Sequence, residues 1–181
     1  MTDGAEIRSR YQDFLTQPSG ERFVSLRNAI IESANYDPYT DSLNEIQRLI
    51  DDGEYDEAGR RLDSCMPNLM LSPRAHLVMA ALAELRDADS DRSDLERSVA
   101  RACLEAIAGT GDGSRQRPYQ VLRATDEHDL LTFLGREGDG QRFVHDGDRH
   151  FEVLSCGGEE IWFDISDAYN WLQSRRPDAD S

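Results

Sequence analysis

The sequence predicts an α+β protein, with helical hairpins first and a small, mainly antiparallel sheet with two short helices afterwards. Apolar residues recur at helical spacing as far as residue 108, a glycine-rich stretch follows, and the later apolar runs have the length of strands. We therefore divide the chain into a helical region at 1–108, a linker at 109–117, an α+β module at 118–176 and a disordered tail at 177–181.

Two helices are predicted before residue 32. The first covers residues 5–16, with Ile7, Tyr11 and Phe14 on its apolar side, and the second follows Pro18. Residues 36–39, Tyr-Asp-Pro-Tyr, form a predicted turn whose aromatic rings are expected to pack under the next hairpin.

A helical hairpin is predicted at residues 42–73, with its turn at residues 53–55. Each half places apolar residues on one face, and the two faces are expected to meet. The stretch Asp-Gly-Glu-Tyr-Asp-Glu-Ala-Gly-Arg-Arg-Leu at 52–62 resembles the middle of a tetratricopeptide repeat. The resemblance implies that Gly53 permits the tight turn and that Ala58 lets the two helices approach each other.

A second helical pair is predicted at residues 72–84 and 93–108. The charged run 86–92 between them is expected to be a solvated loop. Ser93 and Glu96 have the spacing of a capping box, which predicts that the second helix of the pair begins there.

The C-terminal module is predicted to contain a strand at 119–123, a helix at 126–134 capped by Thr125, and strands at 141–145, 149–154 and 160–165. Ser166 is expected to cap a final helix. The segments Arg-Pro-Tyr-Gln-Val at 117–121, Asp-Glu-His-Asp-Leu-Leu at 126–131, His-Phe-Glu-Val-Leu at 150–154 and Ile-Trp-Phe-Asp-Ile-Ser at 161–166 resemble an uncharacterised bacterial family. Its members join a tetratricopeptide-like region to such a module, and the resemblance implies no activity.

The charge of the chain excludes several function classes. It has 36 acidic and 20 basic residues and a formal charge of −16, which repels the phosphates of nucleic acids. All of the basic residues are arginine, which excludes a Schiff-base lysine and the lysine of a P-loop. A salty habitat or a GC-rich genome would also produce this composition.

Three widely spaced cysteines, Cys65, Cys103 and Cys156, predict neither a disulfide framework nor a Cys-x-x-Cys metal site. The N-terminal residues have no signal-peptide pattern, and no run of apolar residues is long enough to cross a membrane. We expect a cytoplasmic protein that has no cofactor and contacts neither a membrane nor nucleic acid.

A metal site is one candidate for chemistry. His145, Asp146, Asp148 and His150 surround one strand turn, and imidazole with carboxylate suits zinc or another transition metal. A two-residue turn would place both histidines on one face of the sheet, whereas a three-residue loop would separate them. Residues 126–129 are interpreted as a charged first helical turn, because acidic groups favour helix N-termini.

A partner surface is the other candidate. In a tetratricopeptide-like array the first helix of each pair lines the concave side, which selects Asn44, Gln47, Arg48 and Arg74 for binding a protein or peptide. The alternative is that the two arginines only form ion pairs with nearby carboxylates. The strand of Trp162 is a second candidate, because Trp162 and Phe163 must point to opposite faces of the sheet.

The function predicted from these features is that of a non-catalytic interaction or scaffold protein. The alternative is a small-molecule or metal-dependent enzyme centred on the hairpin at residues 145–150. The sequence predicts no oligomeric state.

Overall fold

A computed structural model describes residues 4–87 and 89–175. These residues form two compact units, the first containing residues 4–36 and most of 40–106 and the second containing residues 37–39 and 107–175. The predicted α+β class is confirmed, since helices precede a C-terminal four-stranded sheet. No helix in the described part of the chain combines the length and apolar character needed to span a bilayer.

Among the described residues, the helical part contains six helices. They are α1 (Gly4–Thr16), α2 (Gly20–Ile31), α3 (Ser42–Asp51), α4 (Tyr55–Ser64), α5 (Pro73–Asp87) and α6 (Ser90–Ala108).

The central hairpin is formed by α3 and α4, and its turn lies where the sequence predicts it. Gly53 has a φ of +78°, a conformation that glycine adopts without steric cost, and α4 begins two residues later. Ile46, Ala58 and Leu62 are fully or almost fully buried between the helices and α5. The close approach expected at Ala58 is therefore present, whereas the resemblance to a repeat family is a matter of sequence alone.

The predicted start of α6 is wrong. The helix begins at Ser90, so the charged run 86–92 is mostly helical rather than a loop. The Asp89 carboxylate accepts a hydrogen bond from the Arg92 amide (3.0 Å), which gives a partner to one of the free backbone amides in the first turn of the helix. Ser93 lies inside the helix and its hydroxyl donates to Glu84 (2.6 Å), so it cannot form the capping box with Glu96.

The sheet contains β1 (Tyr119–Gln120), β2 (Gly140–Asp146), β3 (Arg149–Cys156) and β4 (Glu159–Asp164), in the order β1-β4-β3-β2. The pairs β2–β3 and β3–β4 are antiparallel, while β1 runs parallel to β4, so the sheet is mixed. β1 is shorter than predicted because the amides of Leu122 and Arg123 donate to the Asp126 carboxylate instead of to a strand.

As far as residue 175, the second unit also contains two helices, α7 (Ala124–Phe133) and α8 (Ser166–Ser174). Neither predicted cap is correct. Thr125 lies inside the first turn of α7, where Asp126 is the residue that accepts the preceding amides. Ser166 is the first residue of α8, and its hydroxyl accepts a hydrogen bond from the His150 amide (3.0 Å).

The stretch predicted as a linker, residues 109–117, is a folded loop. Gly113 is buried at a φ of +75°, and its carbonyl accepts a hydrogen bond from the Trp162 amide (2.8 Å). The amide of Asp112 donates to the carbonyl of Arg117 (2.9 Å), which closes the loop on itself. The loop is thus bonded to β4.

The two faces of the sheet carry different side chains, as the alternation along its strands requires. Phe151, Val153 and Trp162 form a buried cluster on one face, and Trp162 is only 7% exposed. The guanidinium groups of Arg115 and Arg142 lie 5.6 and 5.3 Å from the centre of the Trp162 ring. The opposite face carries both histidines of the hairpin.

Candidate functional site

The hairpin of β2 and β3 brings His145 and His150 together. They are directly paired across the strands, and their Nδ1 atoms are 2.8 Å apart. The connection is the two-residue turn Gly147-Asp148, in which Gly147 has a φ of +62°. This turn resolves the choice left open by the sequence, because it places both imidazoles on one face.

Two aromatic rings complete this group, which we call the histidine cluster: Phe143, His145, His150 and Tyr169. The Tyr169 ring, from α8, lies 3.9 Å from the His150 ring between centroids, and Phe143 lies 4.5 Å from His145. Burial, followed by the nearby His145, lowers the pKa of His150. The two nitrogens can share a hydrogen bond only when one of them carries the proton.

The predicted four-residue metal set is only partly assembled. Asp146 is one residue further along β2 than His145, so it points to the opposite face, where it pairs with Arg115 (2.8 Å). Asp148 lies in the turn itself. Between residues 4 and 87 and between 89 and 175, no three or more His, Cys, Asp or Glu side chains form a group suited to a metal ion.

A second polar group lies at the start of α7. Asp126 and Glu127 occupy the first helical turn, as predicted, but both are 0% exposed. Burial is the main cause that raises the pKa of Glu127 to about 9, and the charges of Glu152 and Asp126 add to it. Burial also raises the pKa of Asp126 to about 6, although Arg123 opposes the shift. Glu127 is therefore a neutral carboxylic acid at pH 7.

Aromatic residues extend this group to the surface. Tyr39 is 48% exposed, and its pKa is raised by partial burial and by the charges of Glu152 and Glu127. Its ring lies 6.0 Å from that of Trp171, over which the Arg175 guanidinium sits at 4.4 Å. We call Tyr39, Asp126, Glu127, Glu152 and Trp171 the acidic–aromatic cluster.

Sequence reasoning missed the acidic–aromatic cluster. Its members come from the segment 37–39, α7, β3 and α8, and no local spacing connects them. Tyr39 was expected beneath the central hairpin, but it belongs to the second unit, whereas Tyr36 is buried in the first. Two adjacent acidic residues after Arg123 were the only available signal, and they are equally typical of a solvated first turn.

The predicted partner surface on α3 and α5 contains residues that are engaged locally. Asn44 donates to the carboxylate of Asp41, and Gln47 donates to that of Asp51 (2.9 Å). Arg48 and Arg74 are exposed. Glu84, on α5, pairs with Arg97 on α6 (2.9 Å).

His76, on α5, is buried. Its Nδ1 lies 2.7 Å from the Glu96 carboxylate, and its Nε2 lies 2.9 Å from the Met70 carbonyl oxygen. A carbonyl oxygen only accepts hydrogen bonds, so Nε2 carries a proton. The imidazole thus links α5 to α6 within the helical unit.

Comparisons with protein-family models, with curated proteins and with solved structures found no match to this chain.

Proposed function

We propose that the protein is a non-catalytic interaction protein and that its acidic–aromatic cluster binds a cationic side chain of a protein partner. The observation that carries the proposal is the position of the half-buried Glu152 beside the fully buried Glu127, whose pKa its charge helps to raise. A cation at Glu152 would act in a partly buried place, where the attraction between opposite charges is stronger than at a solvated carboxylate.

The aromatic rings favour a guanidinium or ammonium group as the bound cation. The Tyr39 ring lies within electrostatic range of Glu152 and Glu127. The Trp171 ring is 6.0 Å from that of Tyr39, and it already carries the guanidinium of Arg175 over its face. Tyr39 and the half-buried Glu152 are reachable from solvent, whereas Glu127 lies beneath them. The partner would therefore contact Tyr39 and Glu152, and Glu127 would respond through its proton.

The overall charge of −16 supports the same class of partner, because it attracts basic segments over distances of about 10 Å or less at ordinary ionic strength. We propose a cytoplasmic location from the odd number and wide spacing of the cysteines. The alternative function, a metal-dependent enzyme, is favoured by the contact between His145 and His150.

The test uses a fluorescently labelled arginine-rich peptide and the full chain at low salt. We expect Glu152→Gln to weaken binding about tenfold, equivalent to ~1.4 kcal/mol. Glu137→Gln is the matched control, since it removes the same charge from an exposed loop of the same unit. Equal losses in the two variants would show that the peptide binds only the general negative field.

A second measurement identifies the site through its proton. At pH 8 Glu127, with a pKa of about 9, is mostly protonated, and a nearby cation lowers that pKa. Peptide binding should therefore release a proton, which calorimetry in two buffers of different ionisation enthalpy measures. Glu127→Gln should abolish the release. Unchanged proton release in this variant would contradict the proposal.

A further inference from the structure

The spacing of the two hairpin imidazoles matches that of two ligands on one metal ion. Metal–nitrogen bonds of about 2.0–2.1 Å at a right angle place the two nitrogens about 2.9 Å apart. The Nδ1 atoms of His145 and His150 are separated by 2.8 Å. Their ring planes are nearly perpendicular, at 89°, so two in-plane lone pairs can converge on one point without the rings colliding.

The backbone fixes this spacing before any ion arrives. The two residues are directly opposite each other in an antiparallel pair, and the two-residue turn Gly147-Asp148 closes the hairpin one residue pair further on. Tyr169 packs on His150, and Phe143 packs on His145, which limits the rotation of both rings. Preorganised ligands lose little conformational freedom on binding, so two imidazoles can suffice for a measurable affinity.

Acidic residues lie near the pair in the fold. Asp148 is in the turn between the two histidines and is exposed. Asp164 on β4 is held by Ser166 (2.6 Å) and by Arg149 (2.9 Å), so Asp148 is the more available of the two. His145 is exposed, which leaves the pair accessible from solvent.

We propose that His145 and His150 chelate one divalent transition-metal ion of tetragonal preference, copper(II) or nickel(II), through their two Nδ1 atoms. Waters complete the coordination, and Asp146 takes no part because it points to the opposite face. The proton now shared between the Nδ1 atoms moves to Nε2 of the same ring, so a neutral pair releases no net proton. This site is distinct from the carboxyl pair on which the proposed function rests.

Copper(II) titration of tag-free full-length protein tests the proposal. The chain has 4 histidines, so each can be assigned. We expect one equivalent of copper(II) to bind and its electron paramagnetic resonance spectrum to show two coordinated imidazole nitrogens. His145→Ala should weaken binding at least about tenfold. His128→Ala, which removes an exposed histidine on α7, should change the affinity less than about twofold.

The spectrum of the wild-type protein does not depend on any variant folding correctly. No imidazole nitrogen, or one only, would overturn the proposal, as would full-strength binding by His145→Ala. A further comparison separates this site from the peptide site: Glu152→Gln should leave copper affinity within about twofold, whereas His145→Ala should leave the peptide affinity unchanged. If either variant lost both copper binding and peptide binding, the two ligands would share one site, and the assignment of copper to the two histidines alone would be overturned.

Discussion

At the scale of single residues, Glu127 has the most unusual environment. Its carboxyl group is 0% exposed and is surrounded by the charges of Glu152 and Asp126. A carboxylate would lose its hydration there without gaining a counter-charge from those two neighbours. The side chain is therefore retained in its protonated form, and this couples the stability of the protein to pH.

We expect Glu127 to make the protein less stable as the pH rises. Its pKa is 4.5 in an unfolded chain and about 9 in the fold, so the native state binds the proton more tightly. The stabilisation is complete below pH 4.5 and is lost as the pH rises towards 9, at up to ~1.4 kcal/mol per pH unit. Urea unfolding of the wild type and of Glu127→Gln between pH 6.5 and 9 measures this slope.

Asp126, whose pKa is about 6, is mostly ionised over that range and contributes little to the slope above pH 7. Glu127→Gln should flatten the curve and be the more stable protein at pH 9, while Glu137→Gln should follow the wild type. Parallel curves for wild type and Glu127→Gln would mean that Glu127 is already ionised in the fold.

At the scale of elements, the loop before β1 is as tightly constrained as the strands. A Cβ atom at Gly113 would lie 2.9 Å from the Tyr119 ring and 3.1 Å from Ile161. The Asp112 amide donates a hydrogen bond to the Arg117 carbonyl, and the Gly113 carbonyl accepts one from the Trp162 amide on β4. The loop therefore anchors the parallel pair of strands.

We expect Gly113→Ala to destabilise the protein more than Gly157→Ala. Both glycines have a positive φ, +75° and +59°, so both variants incur ~1 kcal/mol of backbone strain. A Cβ at Gly157 meets nothing within 4 Å, whereas at Gly113 the overlap adds about 1–3 kcal/mol. Thermal unfolding of both variants gives the difference, and equal midpoints would show that the loop moves aside freely.

The elements themselves were largely predictable, because most of them depend on local patterns. The helices of the central hairpin follow from apolar spacing, and the two strand hairpins follow from their glycine turns. Helix starts were less predictable. Asp89 and Asp126 each satisfy amides at a helix start, and each gives a boundary different from the one its neighbours Ser93 and Thr125 suggest.

The candidate sites were predictable only where one turn assembles them. His145 and His150 are close in sequence, so their contact depended on one choice of turn length. The position of Tyr39 within electrostatic range of Glu127 and Glu152 depends on long-range packing, which a single sequence does not encode locally. Burial of adjacent acidic residues also opposes the usual partition of charge to the surface.

At the scale of the whole molecule, the net charge of −16 destabilises the compact state through self-repulsion. The chain distributes many arginine–carboxylate pairs over its surface, among them Arg61–Glu45 (2.8 Å) and Arg142–Glu160 (2.8 Å). Exposed pairs of this kind contribute little individually. The unpaired excess of carboxylates therefore determines how the fold responds to salt.

We expect sodium chloride to raise the melting temperature. Between about 10 mM and about 1 M salt the Debye length falls from about 30 Å to about 3 Å, which screens the repulsion among the excess carboxylates. Differential scanning calorimetry across this range measures the effect. A melting temperature that falls steadily with added salt would mean that the arginine pairs contribute more than the repulsion costs.

The parallel pairing of β1 with β4 has a consequence for synthesis in the cell. β1 leaves the ribosome long before β4, the strand to which it pairs, and β2 and β3 emerge between them. The helices of the first unit precede β1 in the chain and depend on local contacts, so they can form before β4 emerges. A nascent chain that stops after β3 therefore exposes two unpaired strand edges to chaperones and proteases until translation supplies residues 159–164.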